Sequence, residues 1–127
     1  MILVNFQKAI FEKLEEVFGE DLVVGDSYNE DTPMPYIFLG DLSYSDESSK
    51  TEDLKEVTAE IVVFSNFNGK EEAFELSGKV VEGLKEITEI EEATLISARV
   101  TSVQVSEQSA NSITGYITFV AKVMTDD

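Results

Sequence analysis

VTAEIVVFSNFNGKEEAFELSGKVVEGLKEI, residues 57–87, changes its hydrophobic period part-way along. In the first half Val57, Ala59, Ile61 and Val63 fall on one face of an extended chain. Val62 and Phe64 fall on the other with Thr58 and Glu60. That period of two predicts a strand over 57–67. In the second half Ala73, Leu76, Val80, Leu84 and Ile87 recur three or four apart, which predicts a helix over 68–87. Asn68 and Gly69 form a turn between them, and Glu71 and Glu72 stand in the first helical turn, where the helix dipole favours acids. One stretch thus holds both structure types in sequence order, and the fold class turns on what surrounds it.

Working toward the C-terminus, residues 88–94 read as a linker. TLISARVTSVQV (94–105) and SITGYITFVAKV (112–123) read as two strands joined by the polar SEQSAN, and MTDD (124–127) as a frayed acidic tail. Toward the N-terminus, SDESSKTEDLKE (45–56) is acidic, serine-rich and apolar only at Leu54, the composition of a long mobile hairpin loop. Before it comes TPMPYIFLGDLSY (32–44), which contains both prolines of the chain. Proline fixes φ, lacks an N–H and pushes its predecessor into extended geometry. Pro33 and Pro35 therefore hold the lead-in to a strand over 36–44. A simple alternation places Tyr36, Phe38, Leu42 and Tyr44 on one face and Ile37 and Leu39 on the other. Gly40 within that strand marks a bulge or a close neighbour. LVVGDSY (22–28) predicts a short edge strand. Residues 3–18 predict an amphipathic helix with Leu3, Phe6, Ile10, Leu14 and Val17 on one face, ended by Gly19. The expected architecture is α+β: a single two-layer domain over residues 1–127, with a mainly antiparallel sheet of four to five strands packed by two helices.

Composition narrows the function. A chain of 127 residues that is 43% apolar can bury a core as one domain. No apolar run approaches the ~18 residues of a membrane helix. The opening residues lack the basic segment and cleavage site of a signal peptide, so a cytoplasmic chain with no membrane partner is expected. Cysteine and histidine are both missing, which removes disulfides, thiol chemistry, the commonest general base and the commonest zinc ligand. The net charge is −17, from 26 acids against 9 bases. Such a surface repels phosphate backbones and argues against direct nucleic-acid binding. It suits a basic protein partner, or a wall past which DNA slides without sticking.

No stretch carries a catalytic signature. The isolated glycines of FSNFNGK and SITGY fit neither a phosphate loop nor a dinucleotide fingerprint. Carboxylate pairs are inevitable among 26 acids and read as solvated charge. DESSKTED lacks the spacing and the closing glutamate of a calcium loop. Arg99, the sole arginine, reads as one half of a pair with a carboxylate across the sheet. Tyr36, Phe38 and Tyr44 read as core packing before they read as a binding stripe. Neither an enzyme, a cofactor nor a metal site is expected.

Three stretches in order bear a resemblance. PMPYIFLGDLSYSD resembles the proline-tyrosine lead-in to a strand, followed by a glycine and an acid, of the tail completion (tail terminator) proteins of long-tailed phages and prophages, relatives in fold of the lambda tail terminator. VTAEIVVFSNFNGKEEAFELSGKVVEGL resembles their strand, glycine turn and alanine-, glutamate- and leucine-rich helix. LISARVTSVQVSEQSANSITGYITFVAKV resembles their closing hairpin. With the leading helix these span nearly the whole chain. The resemblance implies a structural virion protein of the tail, made in the host cytoplasm. It implies a ring, typically a hexamer, at the head-proximal end of the tail tube. Such a ring ends tube growth and meets the head connector while DNA passes through unbound. The charge predicts a monomer in solution that closes into a ring on the tube or with divalent cations. Two loops are the expected contact surfaces. Ser45, Asp46, Glu47, Ser48, Ser49, Lys50, Thr51, Glu52 and Asp53 are expected to face the lumen or a neighbouring subunit. Glu107, Gln108, Ser109, Ala110, Asn111 and Ser112 are expected to form an axial docking face. The competing expectation is a small acidic inhibitor or DNA mimic that binds one basic protein, distinguished from a ring by stoichiometry.

Overall fold

The computed structural model describes residues 1–66, 69–109 and 112–125. Two helices, α1 (Ile2–Phe18) and α2 (Glu71–Lys85), pack on one face of a five-stranded sheet. The strands are β1 (Val23–Gly25), β2 (Tyr36–Asp46), β3 (Leu54–Ser65), β4 (Ala93–Ser109) and β5 (Ser112–Thr125), in the spatial order β1-β2-β3-β5-β4. All neighbours are antiparallel except β1 and β2. This is the expected single α+β domain of two layers. Phe67 and Asn68, at the junction expected between strand and turn, lie outside the described residues.

The core forms between the helices and one sheet face. Val57, Ala59, Ile61 and Val63 of β3 meet Ala121, Phe119, Ile117 and Gly115 of β5 in register, and α1 and α2 cover them. The buried row of α1 is Ile2, Phe6, Ile10, Leu14 and Phe18, with Phe6 stacked on Phe119 at 5.8 Å between ring centroids. The expected row had Leu3 and Val17 at its ends. A strict four-residue spacing drifts around the helix, and the bulkier Phe18 takes the covered position while Val17 stays exposed. Gly19 ends α1 as expected, with φ of 59° and its N–H donating to the Glu15 carbonyl at 2.7 Å.

In α2 Ala73, Leu76, Val80 and Leu84 are buried as their spacing requires, with Ile87 just beyond the helix. Glu72 accepts a hydrogen bond from the buried Ser65 hydroxyl at 2.6 Å, which ties the first turn of α2 to the end of β3. Two glycines set how closely α2 sits. A Cβ on Gly83 would come 2.9 Å from Val17 Cγ2 of α1, and one on Gly115 would come 2.5 Å from Ser77 Oγ.

β2 corrects the expected facing. The register passes from Leu39 opposite Ile61 to Leu42 opposite Ala59, so an extra residue bulges at Gly40–Asp41. The bulge moves Leu42 and Tyr44 to the helix side with Ile37 and Leu39, and leaves Tyr36 and Phe38 on the uncovered side. Gly40 also answers to a close neighbour, because a Cβ there would lie 3.2 Å from the Glu60 carbonyl oxygen.

Candidate assembly surfaces

With one face covered by helices, the molecule presents five further surfaces: the uncovered sheet face, the two strand ends and the two lateral edges. The two loops expected to make contacts fall at opposite strand ends. The β2–β3 connection lies where Leu54 pairs with Met124, and the β4–β5 turn lies just beyond the pairing of Ser65 with Ile113. The 12 residues of β3 between them correspond to about 36 Å at ~3.3 Å per residue.

The first connection is shorter than expected. Ser45 and Asp46 belong to β2 and residues 54–56 to β3, so only 47–53 bridge the strands. Regular pairing carries further because polar side chains on the solvated end of a hairpin leave its backbone hydrogen bonds unaffected. The bridge is closed by hydrogen bonds. Glu47 N–H donates to the Leu54 carbonyl at 2.8 Å, Ser49 N–H to the Glu52 carbonyl at 3.0 Å, and Leu54 N–H to Ser48 Oγ at 3.0 Å. Asp53 is the knot. Its carboxylate accepts from Lys55 Nζ at 2.8 Å, Thr125 Oγ1 at 2.6 Å and Ser48 Oγ at 3.0 Å, and its carbonyl accepts from Thr125 N–H at 3.0 Å. The Lys55 hydrogen bond first, then those from Thr125 and Ser48, hold the Asp53 carboxyl down at about 2. Hydrogen bonds from Ser48, side chain and backbone, likewise hold Asp46 below its ordinary value. With the Asp53 carboxylate engaged by these partners, Asp46, Glu47, Lys50 and Glu52 are the exposed charges at this end.

These bonds also revise the C-terminus. Met124 and Thr125 are the last residues of β5, paired with Thr94 and Ala93, and Thr125 is fastened to Asp53. The frayed tail expected from residue 124 does not begin there; Asp126 and Asp127 lie outside the described residues.

At the other end the expected loop is mostly strand. Glu107 pairs with Ile113 and Ser109 with Ser112, so Glu107, Gln108 and Ser109 belong to β4 and Ser112 to β5. Ala110 and Asn111 lie outside the described residues. The polar run SEQSAN reads as a loop because β4 is a solvated edge, exposed along most of its length, and such a strand has no apolar alternation to show.

The uncovered sheet face holds a group of four rings. Tyr28, from the connection after β1, packs on Tyr36, Phe38 and Phe64 at 5.2, 5.0 and 5.2 Å, and Tyr36 stacks on Phe64 at 4.8 Å. Tyr36 is buried there, and its burial pushes its hydroxyl up from the usual value. The Met34–Pro35 peptide, just before β2, is cis. Sequence reading grouped Tyr36 and Phe38 with Tyr44. The bulge sends Tyr44 to the other side, where Lys55 Nζ sits 5.8 Å from its ring centroid. Tyr28 ends the stretch 22–28 read as a short edge strand, but β1 stops at Gly25 and no alternation there assigns Tyr28 to a face.

Arg99 also departs from expectation. It stands opposite Val120 in the register, exposed on β4, and makes no ion pair among the described residues. No group of acids among the described residues has the geometry to hold a metal ion.

Comparison with known proteins gives two positive findings. Residues 11–121 match the family described as tail completion protein gp17. Among solved structures, a chain from the "Virion of native gene transfer agent (GTA) particle" has a TM-score of 0.81 at 19% identity, covering 97% of each chain. At that identity the likeness speaks to the fold alone. No curated protein matches. The family match covers most of the chain, including all five strands in part or whole and the whole of α2. The chain therefore belongs to the tail completion protein gp17 family, structural proteins of phage tails.

Proposed function

We propose that this protein caps the head-proximal end of a phage tail tube as a ring, ends tube growth and offers the docking face for the head connector. The observation that carries the reading is the family match over residues 11–121. It also favours this reading over a small acidic inhibitor of one basic protein.

Geometry and charge support the finer roles. A cap has two partners, tube and connector, on opposite sides. The molecule has two strand ends about 36 Å apart (11 steps of ~3.3 Å), one built by the 47–53 bridge and one by the tip of the β4–β5 hairpin. Six copies carry 6 × −17 = −102, which keeps DNA off the wall of a channel. The same charge opposes ring closure in free solution, so the chain is a monomer there and assembles on the tube or with divalent cations in the host cytoplasm. Screening over ~8–10 Å at physiological salt confines this repulsion to surfaces that come close.

The test is a loop exchange. Glu47 and Leu54 already bond across the hairpin, so replacing residues 48–53 by Asn-Gly leaves a two-residue turn of a favoured type. The variant is expected to fold and to fail in head-tail joining. Infectious particles at normal yield would remove the bridge from the contact surfaces.

A further inference from the structure

The two lateral edges of the sheet differ in a way that specifies a contact. β4 is 17 residues long and forms one edge, so a full row of backbone N–H and C=O groups is open along it. Natural edge strands are commonly blunted by charge, especially lysine, or by proline. Here the segment 93–109 has one base, Arg99, and one acid, Glu107, and the latter stands near the tip. Across the whole hairpin 93–125 the charged residues are Arg99, Lys122 and Glu107, a net of 2 − 1 = +1 in a chain of −17. The remaining residues therefore hold −18. Three register shifts, after Leu95, Val100 and Glu107, twist β4 and restrict what can pair with it.

The opposite edge is β1 with the connections on either side of it. Residues 20–31 contain Glu20, Asp21, Asp26, Glu30 and Asp31 and no base. None of these acids is in an ion pair among the described residues. Each edge also has a furrow between strand and helix. Val4, Phe11, Val24 and Leu39 line the one beside α1 together with Lys8 and Asp26. Leu84, Leu95, Val100 and Phe119 line the one beside α2 together with Lys85 and Arg99. A sparsely charged edge with Arg99 thus stands at one side of the molecule and an acidic edge at the other, and neither Arg99 nor these acids form an ion pair among the described residues.

We infer that the β4 edge receives the β1 edge of a second copy of this chain, head to tail. The contact is heterologous, so repetition closes a ring if the rotation per copy allows. It leaves both strand ends free for other partners, and it sets the nearly neutral β4 hairpin against an acidic edge, so that little like charge is opposed. Arg99 then lies against the acids of the neighbour's 20–31 segment, which fixes direction and excludes β4 from pairing with itself. This rests on the ring-cap reading and adds the surface that makes the ring.

The chain has no cysteine, so engineered thiols report the contact without background. Val23 is in register with Tyr36 on the uncovered sheet face, and Ser97, Ser102 and Gln104 lie on that same face of β4, opposite Lys122, Thr118 and Tyr116. All four are exposed, so single replacements leave the core intact. Full-length chains with Val23→Cys together with Ser97→Cys, Ser102→Cys or Gln104→Cys are oxidised at high protein concentration with Mg²⁺, and on tail tubes. A ladder of covalent multimers from at least one pair is expected, absent from each single variant. Adding Arg99→Glu is expected to remove the ladder. Dimers from the β4 single variants alone, or no ladder from any pair, would overturn the inference. Electron microscopy of capped tubes then separates the two claims. Rings without a ladder sink the edge contact and keep the cap; tubes without rings sink the cap as well.

Discussion

Replacing Gly115 by alanine tests how α2 is seated on the sheet. Gly115 lies on the helix-facing side of β5, opposite Val63, and its open space is filled by Ser77 of α2. An added Cβ would sit 2.5 Å from Ser77 Oγ, which is 0.9 Å short of the 3.4 Å where ordinary contact begins. Ser77 is 2% exposed and its hydroxyl has no hydrogen-bond partner among the described residues, so the oxygen has little room to retreat. Overpacking of this kind costs about 1–3 kcal/mol. The lower chain entropy of alanine in the unfolded state returns about 0.4–1 kcal/mol. A net loss of up to about 2.6 kcal/mol is therefore expected. Ser77→Ala alone removes a buried, unsatisfied hydroxyl and is expected to be neutral or to stabilise by up to about 1 kcal/mol. In that background the clashing oxygen is gone and Gly115→Ala is expected to cost little. Urea unfolding of the four proteins with a common m-value gives the coupling, expected at about 1–2 kcal/mol. Equal costs of Gly115→Ala in the two backgrounds would refute this account of the α2 contact.

Other expectations follow from the same contacts. Phe6→Ala removes a fully buried ring stacked on Phe119. It is expected to cost about 3–5 kcal/mol, visible as a large fall in Tm, and a change under 1 kcal/mol would mean that α1 is not seated as described. Asp53 has its carboxyl depressed from 3.8 to about 2. Its contribution to stability is complete above the unfolded value near 3.8 and is lost as pH falls through about 2. Asp53→Asn is expected to flatten the pH dependence of Tm specifically between those values and to speed amide exchange at Thr125. Unchanged curves would mean that the bridge is not tied to β5. Gly83→Ala is expected to be near neutral by thermal unfolding. The gain of about 1 kcal/mol in helix propensity offsets a contact with Val17 Cγ2, the end of a side chain exposed enough to yield.

How much of this was legible in the sequence depended on burial. The α2 row and the β3 alternation were readable because both elements have a covered side, and burial imposes the period. The ends of α1 were misplaced by one residue, since neighbouring rows differ little when each is apolar. The β2 facing failed at Gly40–Asp41, where one extra residue inverts everything after it. Glycine signalled that something happens there; the direction of the change needs the register. β4 was cut short because its last four residues, Ser106 to Ser109, are polar, and strand pairing there depends on β5 rather than on its own pattern. β1 was read as a short edge strand. Its parallel pairing with β2 is invisible locally, because nothing in Val23–Gly25 says which way the chain returns. The contact surfaces were legible only as polar stretches. That two of them stand at opposite strand ends, and that Arg99 makes no ion pair among the described residues, are properties of the assembled sheet.

The most direct test of the cap is to add purified protein to polymerising tail tubes and image them by negative-stain electron microscopy, with and without Mg²⁺. The account predicts a six-fold ring at one end of each tube and an arrest of growth from that end. Tubes that lengthen as before, with both ends bare, would contradict it.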